Sequence, residues 1–486
     1  DPQARSLEVQ LTPPTLENPE PDDRNLWRAL GVAHGIAPGT IDLAVQQVIS
    51  TRLRSQNWRA SVVLRKSEII ALDAPSTRWL GLAVDIGTTK VAVYLVDMKS
   101  GAVAGSAGLM NPQISFGEDV VSRIYTAGGS KDNAGKMQAL LVEALNGSVV
   151  GLCAEIGADP SHIVDAVVVG NTVIHHLFLR LPVEQLGRIP YVPAVNSAVD
   201  VKARDLGLTT APGCYVHMLP NIAGYVGADH VAMLLATETG EMEGVTLAID
   251  IGTNTEICLN CRGRLKSVSC ASGPAFEGAH IRFGMRAANG AIEHVRLSGD
   301  RLEIQTIGGG APVGICGSGL LDGVAQMLKN GVIDSSGRMW DHPLVRTRND
   351  RREFVLAKRP GQDDITISQK DVREMQAAKT AIRLGIQALL DDAGIAASDI
   401  DRVIIAGAFG TFLDVGSAVA IGMLPPLPPA RFRQVGNAAG MGARLALISE
   451  EKRRAAAAIA AADGYVELGG IPDFNEKFAA ASSMVW

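Results

Sequence analysis

Aromatic residues are scarce in this chain, at 4% of 486 positions, although 47% of the residues are hydrophobic. Ala, Gly, Val and Ile supply most of the apolar content, which favours α/β layers over an aromatic-rich β-sandwich. Positive charge is not in excess either: the formal net charge is −6. No basic stripe can neutralise a phosphate backbone, which argues against a nucleic-acid partner. Gly or a charge interrupts each apolar run before the roughly 20 residues a bilayer crossing needs, so no membrane span is expected. The chain lacks a signal-peptide pattern and starts Asp1-Pro2-Gln3 rather than with Met, so residue 1 reads as a cut edge with something missing upstream. No cysteine occurs before Cys153, and Cys153, Cys214, Cys258, Cys261, Cys270 and Cys316 are scattered. They read as reduced thiols of a cytoplasmic protein. Cys258 and Cys261 form a lone CxxC, but a tetrahedral site needs two more ligands that the spacing does not supply, and a strand running into a turn at Gly263 is expected instead.

What the chain does have is a repeated signature. Asp85-Ile86-Gly87-Thr88-Thr89 and Asp250-Ile251-Gly252-Thr253-Asn254 each close an apolar run, 165 positions apart. In each copy a strand delivers a carboxylate to its tip, a glycine permits close backbone approach, and short hydroxyl or amide side chains follow. Such parts suit a phosphate and Mg²⁺ site, and their duplication predicts two similar half-molecules facing each other across a nucleotide. Strand-tip Asp85 and Asp250 are candidates to hold a largely hydrated Mg²⁺. Gly87, Thr88, Thr89, Gly252, Thr253 and Asn254 would grip the β and γ phosphates, and Lys90 would neutralise charge in phosphoryl transfer.

The flanking pattern repeats too. Strands are expected at 82–85 and 91–97, with a third after Lys99-Ser100-Gly101, then a helix near 136–152 and a strand over 163–172. In the second copy, strands are expected at 246–250, 256–260 and 265–269, then a helix over 371–393 and a strand at 402–410. Strand, tight turn, strand differs from the strand, Gly loop, helix order of a Walker P-loop. Before the repeat, the proline-rich residues 1–22 read as an extended linker, and 23–78, with helical spacing at 23–33 and 41–53 and strands at 61–64 and 69–72, as a small α+β middle domain. The domain reading is therefore 1–22, 23–78, 79–245 and 246–486.

Other segments add weaker signals. Gly407-Ala408-Phe409-Gly410 puts glycine at a strand end where an adenine or ribose can lie close. Gly314 to Asp322, containing Gly317 and Ser318, reads as a glycine turn opening a helix whose free N–H groups favour an anion. Gly436 to Ala443 is small-residue rich, as either a hinge or a close helix crossing. His175 and His176 are adjacent, so on a helix they diverge by about 100° and do not suit one metal ion. Ser272 to Gly278 follows the second turn and edges the expected cleft, with Glu256 and Glu277 as acid/base candidates.

These motifs resemble the actin-like ATPase superfamily, which includes sugar and acetate kinases, the heat-shock chaperone ATPase and actin. The resemblance implies two duplicated ribonuclease-H-like halves, with the two turns as phosphate motifs, Gly407 to Gly410 as an adenosine motif and Gly436 to Ala443 as a connecting helix. It further implies that Gln376 and Lys379 contact the adenosine, with Gln in place of the superfamily Glu. More closely, DIGTTKVAVYLVD, GNTVIHHLFL, DIGTNTEI, SGPAFEGAHIRFGMRA, GICGSGLLD and GNAAGMGA are together similar to the reductive activators of corrinoid proteins, the RACo-like family. That resemblance implies ATP hydrolysis driving reduction of a Co(II) corrinoid to Co(I) for a methyltransferase system. A corrinoid protein is then the partner, a homodimer the assembly, and a [2Fe-2S] domain upstream of residue 1 the electron donor. A small-molecule kinase of the same superfamily and a nucleotide-gated scaffold are the alternatives.

Overall fold

In the computed structural model, residues 1–407 and 409–486 are described, Lys131 without its side chain. They form two compact units, Asp1–Ala236 with Ala439–Ala461, and Thr237–Ala438 with Ala462–Trp486. These units differ from the expected division at 245/246 in that residues 439–461 return to the first unit. The reason is local packing. A Cβ on Gly442 would come within 2.0 Å of the Ala232 carbonyl oxygen, so the helix Ala438–Ile448 rests directly on that backbone. Farther along, Arg453 donates to the fully buried Asp165 at 2.6 Å and to the carbonyl of Ala446 at 2.7 Å. Of the two readings of Gly436 to Ala443, this contact is a close helix crossing.

The first unit opens with a four-stranded sheet in the order Ala4–Gln10, Arg59–Arg65, Glu68–Asp73, Thr40–Ile41. Part of the supposed 1–22 linker is thus a strand: Ala4 to Gln10 pair antiparallel with Arg65 to Arg59, and buried Ala4 and Val9 anchor them. Residues 11–21 carry no helix or strand. The helices Asp22–His34 and Leu43–Ser55 cover this sheet, packing Leu26, Leu30, Ile49 and Leu53 on Val62, Leu64 and Ile69. Asp42 caps the second of these helices through the Ala44 amide at 2.9 Å.

A six-stranded sheet follows, in the order Val103–Met110, Lys90–Asp97, Leu80–Ile86, Ile163–Gly170, Tyr215–Met218, Val199–Lys202. The first three are antiparallel neighbours, and Leu80–Ile86, Ile163–Gly170 and Tyr215–Met218 run parallel. Helix Lys131–Glu155 corrects the expectation about apolar length, since residues 132–155 are long and apolar enough to cross a bilayer. Here its apolar side is core. Leu141, Leu145, Val149 and Leu152 are buried with Leu82, Val84 and Val93 of the sheet.

The second unit repeats this plan. Its main sheet runs Phe432–Gly436, Arg402–Ala406, Val245–Asp250, Thr255–Cys261, Arg264–Cys270, Gly464–Tyr465. Again an antiparallel set of three joins two parallel strands through its first member. Read from Val245–Asp250 outward, the order and sense of five strands match those read from Leu80–Ile86; the sixth strands differ, Val199–Lys202 lying antiparallel beyond Tyr215–Met218 and Gly464–Tyr465 parallel beyond Arg264–Cys270. Two three-stranded sheets and the helices Gly317–Lys329 and Gln369–Ala393 complete this unit around one apolar core. The CxxC lies in strand Thr255–Cys261, and Arg262 and Gly263 turn the chain with φ of 54° and 86°.

Candidate functional site

Asp85 is the penultimate residue of its strand and Asp250 the last of its own, and both are half-buried. Their registers agree: Asp85 faces Val169 on the parallel neighbour and Asp250 faces Ala406. One residue later on each neighbour stands a glycine, for a common reason. A Cβ on Gly170 would lie 2.8 Å from the Ile86 carbonyl oxygen, and one on Gly407 would lie 2.5 Å from that of Ile251. Gly407 also has φ of 90°, and its absent Cβ would meet Asp250 Oδ1 at 2.8 Å. The bare backbone therefore forms a cradle for the Asp250 carboxylate.

The turn after Asp85 is tight. A Cβ on Gly87 would sit 2.7 Å from the Lys90 carbonyl oxygen. Side chains from other elements hold its backbone. Asn111 donates through Nδ2 to the Gly87 carbonyl at 2.9 Å, and its own amide donates to the Thr89 carbonyl at 2.9 Å. Arg123 Nη2 donates to the Thr88 carbonyl at 2.6 Å, while Asn171 Nδ2 donates to Thr88 Oγ1 at 3.2 Å. Thr88 and Thr89 are half-buried, and Lys90 is exposed.

The turn after Asp250 is held differently. Ser272 Oγ reaches the carbonyls of Gly252 at 3.0 Å and Thr253 at 3.2 Å, and the Gly273 amide donates to Thr253 at 2.9 Å. The Thr253 hydroxyl donates to Glu277 Oε1. Glu256 instead accepts from Ser269 Oγ at 3.1 Å. Asn111, Arg123 and the role of Ser272 carried no sequence signal beyond the flag on Ser272 to Gly278.

Phe409 stacks on Phe276 with ring centroids 4.5 Å apart, and a Cβ on Gly317 would come 2.0 Å from the Phe276 carbonyl oxygen. Packing against Phe276 accounts for Gly317, while Ser318 Oγ lies 3.2 Å from Cys316 Sγ. Ala408 lies outside the described residues. Gln376 and Lys379 are on helix Gln369–Ala393, both buried and both bonded to backbone. Gln376 Nε2 donates to Ser482 at 2.7 Å and Ser336 at 3.1 Å, and Lys379 Nζ donates to the carbonyls of Ala481, at 2.7 Å, and Ser483. Burial, with the Arg383 charge nearby, pushes the Lys379 pKa down to about 7.

The histidine pair is core. His176 Nδ1 bonds the Thr172 carbonyl at 2.8 Å, and its Nε2 accepts from the Ala194 amide at 3.0 Å. His175 is fully buried, and burial pushes its pKa down to about 3, which keeps it neutral.

Comparison with known proteins fits this geometry. Residues 244–486 match the family described as the C-terminal domain of RACo, the ASKHA domain; 80–241 match the RACo middle region and 1–78 the RACo linker region. The chain belongs to the RACo family. Within it, the name ASKHA is kept for the second of the two duplicated stretches. The corrinoid activation enzyme RamQ of Eubacterium limosum is 37% identical over 82% of this chain and 69% of its own length. A Methanosarcina barkeri protein, the [Co(II) methylated amine-specific corrinoid protein] reductase, is 26% identical over 71% of this chain and 66% of its own. This RACo-family chain thus spans about two thirds of those relatives. A solved reductive activator for corrinoid, iron-sulfur protein superposes with a TM-score of 0.88 at 36% identity, covering 100% of this chain and 79% of that one.

Proposed function

We propose that this protein is an ATP-dependent reductive activator of a corrinoid protein. The observation that carries the nucleotide part is the duplicated strand tip, where a carboxylate and a glycine-backed turn recur at the same register in two sheets that share the order of five strands. In this reading Asp85 and Asp250 hold Mg²⁺ mostly through water, and the Gly407 cradle fits that role by leaving the Asp250 carboxylate room. The ion supplies neutralisation of phosphate charge when bound. Thr88, Thr89, Thr253 and Asn254 orient the β and γ phosphates with hydroxyl, amide and backbone donors, and Lys90 adds a mobile positive charge. The phosphoryl group goes to water, giving ADP and phosphate. Phe409 and Gly407 border the adenosine, and Gln376 and Lys379 would join them only once they release the backbone of 481–483.

The corrinoid part is supported by the names and the lengths of match of the relatives, which favour an activator over a small-molecule kinase. An iron-sulfur donor, when reduced, would supply the one electron that takes Co(II) to Co(I). The proposed donor is a [2Fe-2S] centre on a ferredoxin-like domain outside these residues, and the proposed assembly is a homodimer. An uphill one-electron step costs about 1.4 kcal/mol for each 59 mV. ATP supplies that bias only through unequal affinity for two states of the complex. The test is Co(I) formation, followed by its absorption, in a mixture of the full-length protein, a reductant and a Co(II) corrinoid protein from the same genomic neighbourhood. Co(I) should accumulate with ATP and not without it. Equal accumulation in both, or none with any such partner, rejects the reading.

A further inference from the structure

Arg123 has a place that the nucleotide reading does not use. It sits in helix Val120–Gly128, is fully buried, and bonds carbonyls: Nη2 to Thr88 at 2.6 Å and Nε to Gly117 at 3.0 Å. Nη1 has no partner among the described residues. Burial pushes the guanidinium pKa down only to about 10, partly opposed by Asp119, so the group stays charged at neutral pH. A neutral donor would satisfy two carbonyls equally well. Burying a charge to do so is unfavourable unless an anion comes near it.

Asp119 offsets part of that cost, and the geometry of the turn shows where a second anion would lie. Asn111 and Arg123 draw the Gly87 and Thr88 carbonyls to their side. Because each peptide is planar and trans, the amides of Thr88 and Thr89 point the opposite way. Asn171 donates to Thr88 Oγ1, which leaves the hydroxyl hydrogen for an acceptor. Asn111 and Asn171 thus set the direction of the two donors on Thr88, and Arg123 that of the Thr89 amide.

We propose that Arg123 is a positioning residue for the nucleotide phosphates: with Asn111 it fixes the peptide planes of residues 87–89 and sets a permanent positive charge behind the turn. This rests on the nucleotide reading above and adds the residues that make its first turn rigid and cationic. The test uses full-length Arg123→Lys, Arg123→Gln and Asn111→Asp. Lysine keeps the charge and one donor, and glutamine keeps a donor without charge. In Asn111→Asp the cap on the Gln113 amide at 3.0 Å survives while the donor to Gly87 is lost.

Steady-state ATP hydrolysis is measured beside melting temperature. The expected result is a kcat lowered by about tenfold or more with KM changed by less than about threefold, because oriented donors matter most as charge develops. Arg123→Lys should recover more of kcat than Arg123→Gln. A kcat within about twofold of wild type in folded Arg123→Lys and Asn111→Asp overturns the inference. If the Arg123 variants do not fold, Asn111→Asp decides alone. If wild type turns over ATP and the variants match it, only this inference falls; if wild type shows no turnover, the nucleotide reading falls and takes it along.

Discussion

In the first unit the carbonyls after Asp85 meet Asn111 and a guanidinium, whereas in the second those after Asp250 meet the Ser272 hydroxyl and the Gly273 amide. The order of five strands, the register at the aspartate and the glycine on the parallel neighbour repeat between the units. The groups behind the turns do not. One turn has a positive charge behind it, and the other has a carboxylate, Glu277, on its threonine hydroxyl. The part that repeats is what close backbone packing at a strand tip demands. The supports come from loops and helices of unrelated sequence, so a duplicated core can carry two turns of opposite electrostatic character. Each unit also buries a cation bonded to carbonyls: Arg123 behind the first turn, and Lys379 against 481–483 in the second unit.

The largest effect should come from the feature the units share. Asp85→Ala and Asp250→Ala are each expected to lower Mg·ATP turnover by at least about 10² to 10³, the scale of losing a main electrostatic group. Phosphate release measures this, and far-UV circular dichroism should show an unchanged fold. If only one of the two changes is harmful, the turns are not equivalent and the symmetric reading of the site breaks.

The paired glycines come next. Gly170→Ala and Gly407→Ala each press a methyl onto the preceding strand's carbonyl, at 2.8 Å and 2.5 Å respectively. Overpacking of that kind costs about 1–3 kcal/mol. Gly407 should suffer more, since its φ of 90° penalises any Cβ by about a further 1 kcal/mol. Only Gly407→Ala also pushes on an aspartate of the site, at Asp250 Oδ1. Urea unfolding combined with turnover should therefore separate them: both lose stability, and Gly407→Ala loses more turnover. The reverse order would show that the first cradle is the more demanding one.

The strands were legible because the chemistry that makes them is local. Val84 and Asp85, or Ile249 and Asp250, end apolar runs at glycine turns, and periodicity alone locates them. The supports were not legible, for a physical reason. Arg123 lies 35 residues beyond Thr88 on a helix whose pattern marks only a buried face, and no spacing rule joins a helix arginine to a distant carbonyl. The strand Ala4–Gln10 was obscured because prolines nearby suggested an extended segment, and a paired edge strand is extended too. The return of 439–461 to the first unit depends on Gly442 meeting Ala232, a contact across some two hundred residues that a small-residue run announces without naming its partner. For Gln376 and Lys379 the resemblance implies an adenosine contact, and that they face the backbone of 481–483 in this fold follows from tertiary packing that no sequence pattern shows.

The two buried cations offer the finest comparison, because a lysine can shed its proton and an arginine cannot. Lys379 titrates at about 7 in the fold against 10.5 as an ordinary lysine, so between those values the unfolded chain binds more protons. Stability then rises with pH across that window and is flat, at its lower level, below about pH 7. Lys379→Met removes this slope. It also removes the bonds to Ala481 and Ser483, each worth about 1 kcal/mol, so the variant should fall further behind wild type as pH climbs from 7 toward 10. Urea midpoints at a series of pH values measure it, and parallel curves for wild type and variant would show that the Lys379 amine keeps its proton in the fold. Arg123→Lys places the same titratable amine behind the first turn. A new slope in that variant, absent from wild type at this position, would show that burial there neutralises a lysine, so that only arginine holds its charge behind the first turn.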